Sequence, residues 1–405
     1  MEALSLTVPL RQVGNIVVLV QALIFAGVFM SPPFRRQLSN QLLAAALLIM
    51  AAIKADQLYQ MLGGLAAYPE YGFALAPFQA LMTPVLYLFV VSKAVPNFAL
   101  ERRHLWHLTP FALFFLYLLA VYYRLPTDEK AALLASGGFA SPLHRLVVPL
   151  IGDAIQLGYV VAALKRLNAH GLSLRNWFSR LENRDLRWLR RLMIVWGAVF
   201  VFHTMWTIAA GVFAAAPFAR GVLDILNLVH LGFVTALILM GATSVGDRLG
   251  VGQPGADETR GAQPDAAPAL KYVASTLSAA ERRELFEKAA AALKRQRLYL
   301  TPDLTLRHLA DHLSATPREV SEALNGVGDQ SFFEFINRAR VEHAKGLLAA
   351  APDMKIIEIA FQSGFNSKTA FNESFRKYCG QTPGAYRRSH ASSPDGARPA
   401  EKLAP

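Results

Sequence analysis

Hydrophobic residues are unevenly distributed, and their distribution divides the chain into two parts. Long apolar runs fill residues 13–245, whereas residues 271–390 show the mixed apolar and charged pattern of a water-soluble domain. Seven runs in the first part are long enough, or nearly so, to cross about 30 Å of hydrocarbon as helices. They lie at 13–30, 40–62, 72–95, 105–123, 143–164, 189–214 and 221–245. The pattern predicts an all-α protein, with a seven-helix transmembrane bundle followed by a soluble all-helical domain.

Residues 246–270, between these parts, consist largely of glycine, proline, alanine and small polar residues. This composition cannot bury a core and is typical of a flexible linker. We therefore divide the chain into a transmembrane domain (1–245), a linker (246–270), a soluble domain (271–390) and a disordered tail (391–405).

Basic residues between the predicted membrane helices indicate the orientation of the bundle. With the amino terminus outside, the inner loops and the helix ends beside them hold 13 lysines and arginines, against 5 on the opposite side. The positive-inside rule therefore favours an external amino terminus and a cytoplasmic carboxyl terminus. The first run lacks a cleavable signal-peptide pattern, so we expect it to be a retained anchor. The expected location is the inner membrane of a bacterial cell, with several membrane crossings.

Several polar residues fall inside the predicted membrane helices. An ionisable group there costs roughly 2.5–3.5 kcal/mol, so such groups usually face the bundle interior or a cavity. One interpretation is a ligand pocket or proton-sensing site open to the outside; the other is hydrogen bonding that holds helices together. The candidate sensing residues are Lys54, Asp56, Asp153, His203, Asp224, Asn227 and His230.

The sequence offers no metal-ligand spacing in these helices, and its single cysteine, Cys379, excludes a cysteine-based zinc cluster. It also lacks a nucleophile elbow, a P-loop and a dinucleotide fingerprint. We therefore expect no cofactor and no enzymatic activity.

Capping residues predict the first helices of the soluble domain. Ser278 opens a helix as part of a capping box, and this helix runs to about residue 297. Thr305 caps a helix that carries an apolar stripe to about residue 313. After a short turn, Thr316 and Pro317 begin another helix, which runs to about Asn325. This succession is the helix-turn-helix layout.

The layout repeats after a longer helix predicted over residues 332–350. Residues 356–362 form a helix that Gly364 ends, because glycine readily adopts the left-handed conformation. Ser367 caps the next helix, 368–378, and Gly380 and Pro383 end it before a last segment around 385–388.

This half of the chain resembles the AraC/XylS family of bacterial transcriptional regulators, over roughly residues 280–390. The matching residues are Ile356-Ile357-Glu358-Ile359-Ala360, Gly364-Phe365-Asn366-Ser367, Phe371, Phe375-Arg376-Lys377 and Gly380-Gln381-Thr382-Pro383-Gly384-Ala385-Tyr386-Arg387. The resemblance implies sequence-specific binding to double-stranded promoter DNA through two helix-turn-helix motifs, with RNA polymerase as a further partner.

The second helix of each motif, which begins at Thr316 or at Ser367, is its recognition helix. The face of this helix that lies opposite its apolar residues is free to enter the major groove. Asn372 suits adenine, and Lys368 suits guanine or a phosphate. Arg340, Arg376 and Lys377 suit phosphates, although any of these cations could instead be a solvated surface charge. The complete set of expected DNA contacts is Arg318, Ser321, Glu322, Asn325, Arg340, Ser367, Lys368, Thr369, Asn372, Glu373, Arg376 and Lys377.

Glu322 and Glu373 depart from the family pattern, which often has arginine at these positions. A carboxylate repels the DNA backbone, and the net charge of residues 271–390 is only +5. We therefore expect salt-sensitive, weak binding by a monomer, which favours two half-sites or a homodimer.

These patterns, together with the resemblance, imply a membrane-bound one-component transcriptional regulator, controlled by an unknown signal ligand that the bundle senses in the lipid bilayer. The alternative is a membrane transporter or receptor with a regulatory carboxyl-terminal interaction module. Glu322 and Glu373 also leave open an interaction module that no longer binds DNA.

Overall fold

A computed structural model of the 405-residue chain describes residues 10–32, 34–136, 143–179, 186–213, 229, 231–239 and 277–391. All the named elements in this part of the chain are helical. The chain divides into two compact units. The apolar unit comprises Met1–His170 and Leu186–Pro268, and the carboxyl-terminal unit comprises Gly171–Asp185 and Ala269–Pro405. The sequence-based division placed residues 171–185 with the membrane part.

The apolar unit is built from long helices joined by shorter helical turns. Its last described stretch, 231–239, is also helical. The named α-helices are α1 (Leu10–Met30), α2 (Leu38–Met61), α3 (Gly64–Ala67), α4 (Met82–Ala94), α5 (Thr109–Leu118), α6 (Thr127–Ala135), α7 (Val148–Trp177) and α8 (Arg187–Phe213). Helix α7 extends 13 residues beyond the predicted 143–164, and α6 was not predicted.

Six described helical stretches are long and apolar enough to cross a membrane, by length and composition alone. They are Gln12–Met30, Leu38–Met61, Pro69–Ala94, Arg102–Tyr123, Val148–Trp177 and Arg187–Ala209. These stretches correspond to the first six predicted membrane segments. The seventh, 221–245, falls mostly outside the described residues, as do the predicted linker and nearly all of the predicted tail. The count of seven therefore stays a prediction.

Two of the predicted membrane segments are interrupted. In the third, a 3-10 helix at Ala76–Leu81 precedes α4, and another at Pro69–Tyr71 lies just before the predicted segment. In the fourth, α5 lies between a 3-10 helix at Arg102–Leu108 and a π-helix at Leu119–Tyr123. Prolines occupy the first turn of Ala76–Leu81 and of α5. Proline suits a first turn because it lacks an N–H and has a fixed φ, so it favours restarting a helix over continuing one.

Small residues line the packed side of the first two helices. Ala22 and Ala26 of α1, and Ala44 and Ala46 of α2, are buried in one cluster. Small side chains allow helices to approach closely, as in membrane proteins. The other side of α1 is apolar as well, because 57% of Ile24 is exposed. A helix that is hydrophobic all round suits an apolar surrounding.

The carboxyl-terminal unit contains seven named α-helices among its described residues. They are α9 (Ala279–Arg295), α10 (Leu306–His312), α11 (Pro317–Gly328), α12 (Phe332–Ala350), α13 (Ile356–Gln362), α14 (Lys368–Cys379) and α15 (Pro383–Ala391). The predicted bounds 332–350 and 356–362 are confirmed, as are the capping boxes at Ser278 and Thr316. Helix α11 continues three residues past the predicted Asn325 and ends where Asp329 takes a left-handed φ of 46°.

Two hydrophobic cores support this unit, and α12 contributes to both. The first contains Leu309, Val320, Leu324, Phe332 and Ile336. The second contains Val341, Ala344, Ile359, Phe371 and Phe375. Because one uninterrupted helix supplies side chains to each core, α12 connects two subdomains.

Candidate nucleic-acid interface

The first helix-turn-helix motif consists of α10, a turn at Ser314, and α11. Ser314 has a left-handed φ of 52°, which turns the chain between the two helices. Helix α11 buries Val320 and Leu324 completely, so its opposite side faces outward. Of the residues predicted to contact DNA, Asn325 is exposed, and Arg318, Ser321 and Glu322 are half-buried.

Polar side chains on the outward side of α11 form bonds within this helix. Arg318 Nε lies 3.1 Å from Glu322 Oε1, an ion pair one turn apart. Asn325 Nδ2 donates to the Ser321 carbonyl oxygen at 2.8 Å. Arg318 therefore offsets the negative charge of Glu322, which the sequence identified as unfavourable near DNA phosphates. An ion pair between partly exposed side chains is weak, so it does not hold Arg318 firmly to Glu322.

The second motif presents a more open polar surface. Helix α14 begins at Ser367, whose hydroxyl accepts a hydrogen bond from the Ala370 amide at 3.2 Å. Phe371 and Phe375 are completely buried, which fixes the orientation of the helix. Lys368, Thr369, Glu373 and Arg376 are exposed and Asn372 is half-buried. Their spacing places these five on one helix face, as a recognition helix requires.

Lys377, also predicted to contact phosphates, forms an ion pair in the structure. Its Nζ lies 2.6 Å from Glu334 Oε1, at the start of α12. Burial alone would raise the pKa of Glu334, but hydrogen bonds from Lys377 and Ser331 lower that pKa to about 2. The ion pair joins the recognition helix of the second motif to the helix that connects the subdomains.

The structure corrects the expectation that Arg340 contacts phosphates. Only 2% of this residue is exposed. Its Nε donates to the Tyr299 carbonyl at 2.7 Å, and Nη2 donates to the Thr301 carbonyl at 2.8 Å. A guanidinium that satisfies buried backbone carbonyls cannot reach a DNA backbone without disrupting its surroundings. Arg340 is therefore an internal structural residue.

In the apolar unit, the candidate sensing residues occupy separate places. Lys54 and Asp56 are buried in α2 and bond within that helix, Lys54 Nζ to Gln57 at 3.0 Å and Gln60 to Asp56 at 2.7 Å. His203 Nδ1 lies 2.9 Å from Asp153 Oδ2, which joins α7 to α8. The remaining three, Asp224, Asn227 and His230, lie outside the described residues.

Sequence reasoning missed some polar partners in both units. The Thr204 hydroxyl donates to Asp153 Oδ2 at 2.9 Å, so Asp153 has two partners on α8. Ser331 and Glu334 form a capping box that starts α12. Their S-x-x-E pattern was a usable signal for that box. In the described part of the chain, no group of three or more His, Cys, Asp or Glu could hold a metal ion.

Comparison with known proteins supports the helix-turn-helix assignment. Residues 309–389 match the model of a helix-turn-helix domain family. Over 90 residues the chain is 33% identical to an uncharacterised HTH-type transcriptional regulator of Staphylococcus aureus, a match that covers 22% of this chain and 12% of that protein. Over 89 residues it is 35% identical to the uncharacterised HTH-type transcriptional regulator YijO of Escherichia coli, which covers 22% of this chain and 31% of YijO.

Among solved structures, the chain is similar to the carboxyl-terminal domain of AraT, a response regulator from Geobacillus stearothermophilus. The sequence identity is 27%, the match covers 31% of this chain and 98% of that chain, and the TM-score is 0.25. All these matches involve only a minor part of this chain. The sequence matches show that it carries an AraC-type, DNA-binding helix-turn-helix domain near its carboxyl end, similar to those of transcriptional regulators.

Proposed function

We propose that this protein is a membrane-bound one-component transcriptional regulator that binds double-stranded promoter DNA through both helix-turn-helix motifs. The observation that carries the proposal is the polar surface of α14, where Lys368 and Thr369 are exposed and Asn372 is half-buried while Phe371 and Phe375 are buried. Side chains of these types read base edges in the major groove. The matches to transcriptional regulators support the same assignment.

The membrane part of the proposal rests on the apolar unit. Six long apolar helices and the bias of basic residues toward one side support a bundle in the inner membrane, with the carboxyl-terminal unit in the cytoplasm. Asp153, His203 and Thr204 link two of these helices through polar contacts. A signal that binds one arrangement of such helices better than another would shift the population between them.

DNA binding is tested with the full chain in lipid nanodiscs. The chain selects duplexes from a random-sequence pool, and affinities for a selected duplex are then measured for Asn372→Ala and Lys368→Ala. Each lost base contact is expected to weaken binding by roughly 1–3 kcal/mol, and binding should weaken steeply as salt rises. The matched control is Lys288→Ala on α9, an exposed lysine outside both motifs. Equal affinities for the wild type and both recognition-helix variants would show that α14 does not read DNA.

Membrane topology is tested separately with reporters of cytoplasmic and external location, fused after residue 405 and before residue 1. We expect the carboxyl-terminal fusion to be active in the cytoplasm and the amino-terminal fusion outside. A carboxyl-terminal reporter on the external side would contradict the proposal, because the motifs could not then reach DNA.

A further inference from the structure

Residues 177–179, at the end of α7 and just beyond it, pack inside the carboxyl-terminal unit. In the sequence they belong to the loop between the fifth and sixth predicted membrane helices. Trp177 packs against the first core of that unit, and Phe178 is buried. Ser179 is only 2% exposed. A loop that merely connected two membrane helices would expose such residues to water.

Hydrogen bonds hold this segment in place. The amide and the hydroxyl of Ser179 both donate to the Leu304 carbonyl, at 3.3 and 2.6 Å. The Ser179 carbonyl accepts from Asn337 Nδ2 at 3.2 Å. Phe178 pairs with Thr305 as an isolated antiparallel bridge. The segment therefore makes backbone and side-chain contacts with residues that are far apart in sequence.

The docking position is the junction of the two helix-turn-helix motifs. Leu304 and Thr305 come directly before α10 of the first motif, and Asn337 lies on the connecting helix α12. One turn further along α12, Arg340 Nη2 lies 3.5 Å from the Ser179 hydroxyl. The Arg340 guanidinium also lies 5.7 Å from the ring centre of Phe365 in the second motif.

At this junction the second motif also touches the 3-10 turn at Leu298–Leu300, which precedes the first motif, and the connecting helix α12. A Cβ added to Gly364, in the turn of the second motif, would lie 2.5 Å from the Tyr299 carbonyl and 3.1 Å from Arg340 Nε. There is no room for a side chain at this point, so the turn of the second motif packs tightly against Tyr299 and Arg340. Ser179 contacts the same arginine and so belongs to this packing.

We propose that residues 177–179 are a docked segment that fixes the two motifs relative to each other, and that the membrane part regulates DNA binding by displacing it. This inference rests on the proposed function. Docking orders the junction before DNA arrives, which reduces the entropy lost on binding. Helix α7 carries Asp153, the partner of His203, and ends at Trp177, so it leads directly into the docked segment.

Displacement should weaken binding to DNA that engages both motifs more than binding to DNA that engages one. The test uses the full chain in nanodiscs, a duplex selected by the wild type, and the same duplex with one half-site scrambled. The undocking variant combines Phe178→Ala and Ser179→Ala. The matched control is Leu172→Ala, a truncation of a residue in the same helix that is 64% exposed.

The measured quantity is the affinity for the intact duplex divided by the affinity for the scrambled duplex. For the undocking variant we expect this ratio to fall about tenfold, within the range usual for coupled sites. The control should keep the wild-type ratio. An unchanged ratio would overturn the inference. If the ratio is unchanged because both affinities fall equally, the segment has a purely structural role. If the wild type binds neither duplex, it is the proposed function that fails.

A reversible covalent lock provides a second test. Phe178→Cys and Thr305→Cys are combined with Cys379→Ser, which removes the natural cysteine. Facing residues of an antiparallel pair lie about 4.5–5.5 Å apart at Cα, within the span of a disulfide. The oxidised form should have at least the wild-type ratio and the reduced form a lower one. Both forms lack the Thr305 cap, so its loss does not affect the comparison between them. Equal ratios for the two forms would contradict docking as a control of DNA binding.

Discussion

The two units start many of their α-helices in different ways. In the carboxyl-terminal unit, five helices begin at a serine or threonine whose side chain accepts a hydrogen bond from the first turn: Ser278, Thr305, Thr316, Ser331 and Ser367. Among the described helices of the apolar unit, α2, α4, α5 and α6 begin at Gln37, Leu81, Leu108 and Pro126, without such a bond from the capping side chain.

The difference follows from the surroundings of each helix, because water competes for backbone hydrogen bonds and an apolar surrounding does not. Short helices in water, such as the seven-residue α10, are marginal on their own, so a cap worth about 1 kcal/mol matters. Long apolar helices are favoured along their whole length when the surrounding is apolar, because backbone groups there must bond within the helix. Caps therefore mark helix positions closely in one unit, and hydrophobicity marks them coarsely in the other.

The largest expected effect comes from comparing two truncations of apolar side chains, one in each unit. Phe371→Ala removes a fully buried ring from the second core, and we expect it to cost roughly 3–5 kcal/mol of unfolding free energy. Ile24→Ala shortens an exposed side chain of α1, and in a lipid surrounding it should cost less than about 1 kcal/mol. Urea-dependent proteolysis of the full chain, with fragments assigned to each unit, measures both. A similar cost for the two variants would remove the distinction between the units.

The same contrast explains how far the sequence predicts the fold. The start of α11 at Pro317 follows from Thr316 and Glu319, because a capping box specifies a position to the residue. The helix 356–362 was predicted at its observed bounds for a similar reason, since Gly364 follows it with a φ of 82°. In the membrane part, hydropathy gave the approximate segments but not the 3-10 turns inside them.

Long-range contacts could not be predicted from local patterns. The extension of α7 to Trp177 falls in a stretch rich in basic residues, which is typical of a loop. Ser179, just beyond it, bonds to Leu304 and Asn337, more than a hundred residues away. The residue type and the sequence position of Arg340 are typical of a phosphate ligand. Its interior position is set by carbonyls of residues 299–302, which no periodicity reveals.

A smaller effect is expected from replacing the residues at which α11 and α2 begin. Thr316→Ala removes the side chain that accepts from the Glu319 amide at 3.3 Å, and it should cost about 1 kcal/mol. Gln37→Ala changes the residue before α2, whose side chain makes no capping bond, and should cost close to nothing. Hydrogen exchange of the first turns of α11 and α2 in the full chain measures both effects. Comparable loss of protection at the two sites would mean that caps matter equally in each unit.

The smallest expected effect concerns the ion pair between Glu334 and Lys377. The folded-state pKa of Glu334 is about 2, below its ordinary value of 4.5, so the pair stabilises the carboxyl-terminal unit above about pH 4.5. This contribution is lost as the pH falls toward 2. Both side chains are partly exposed, so we expect only about 0.5 kcal/mol.

Lys377→Ala should therefore flatten the dependence of unfolding free energy on pH in the acidic range, while Arg376→Ala, at the exposed neighbouring position, should not. Proteolysis-coupled unfolding at a series of pH values measures the slope for each variant. If Lys377→Ala keeps the wild-type slope, hydrogen bonds from Ser331 alone hold the Glu334 carboxylate, and the link between the recognition helix and α12 contributes nothing. A flattened slope would instead show that polar contacts between helices stabilise the carboxyl-terminal unit in addition to its caps.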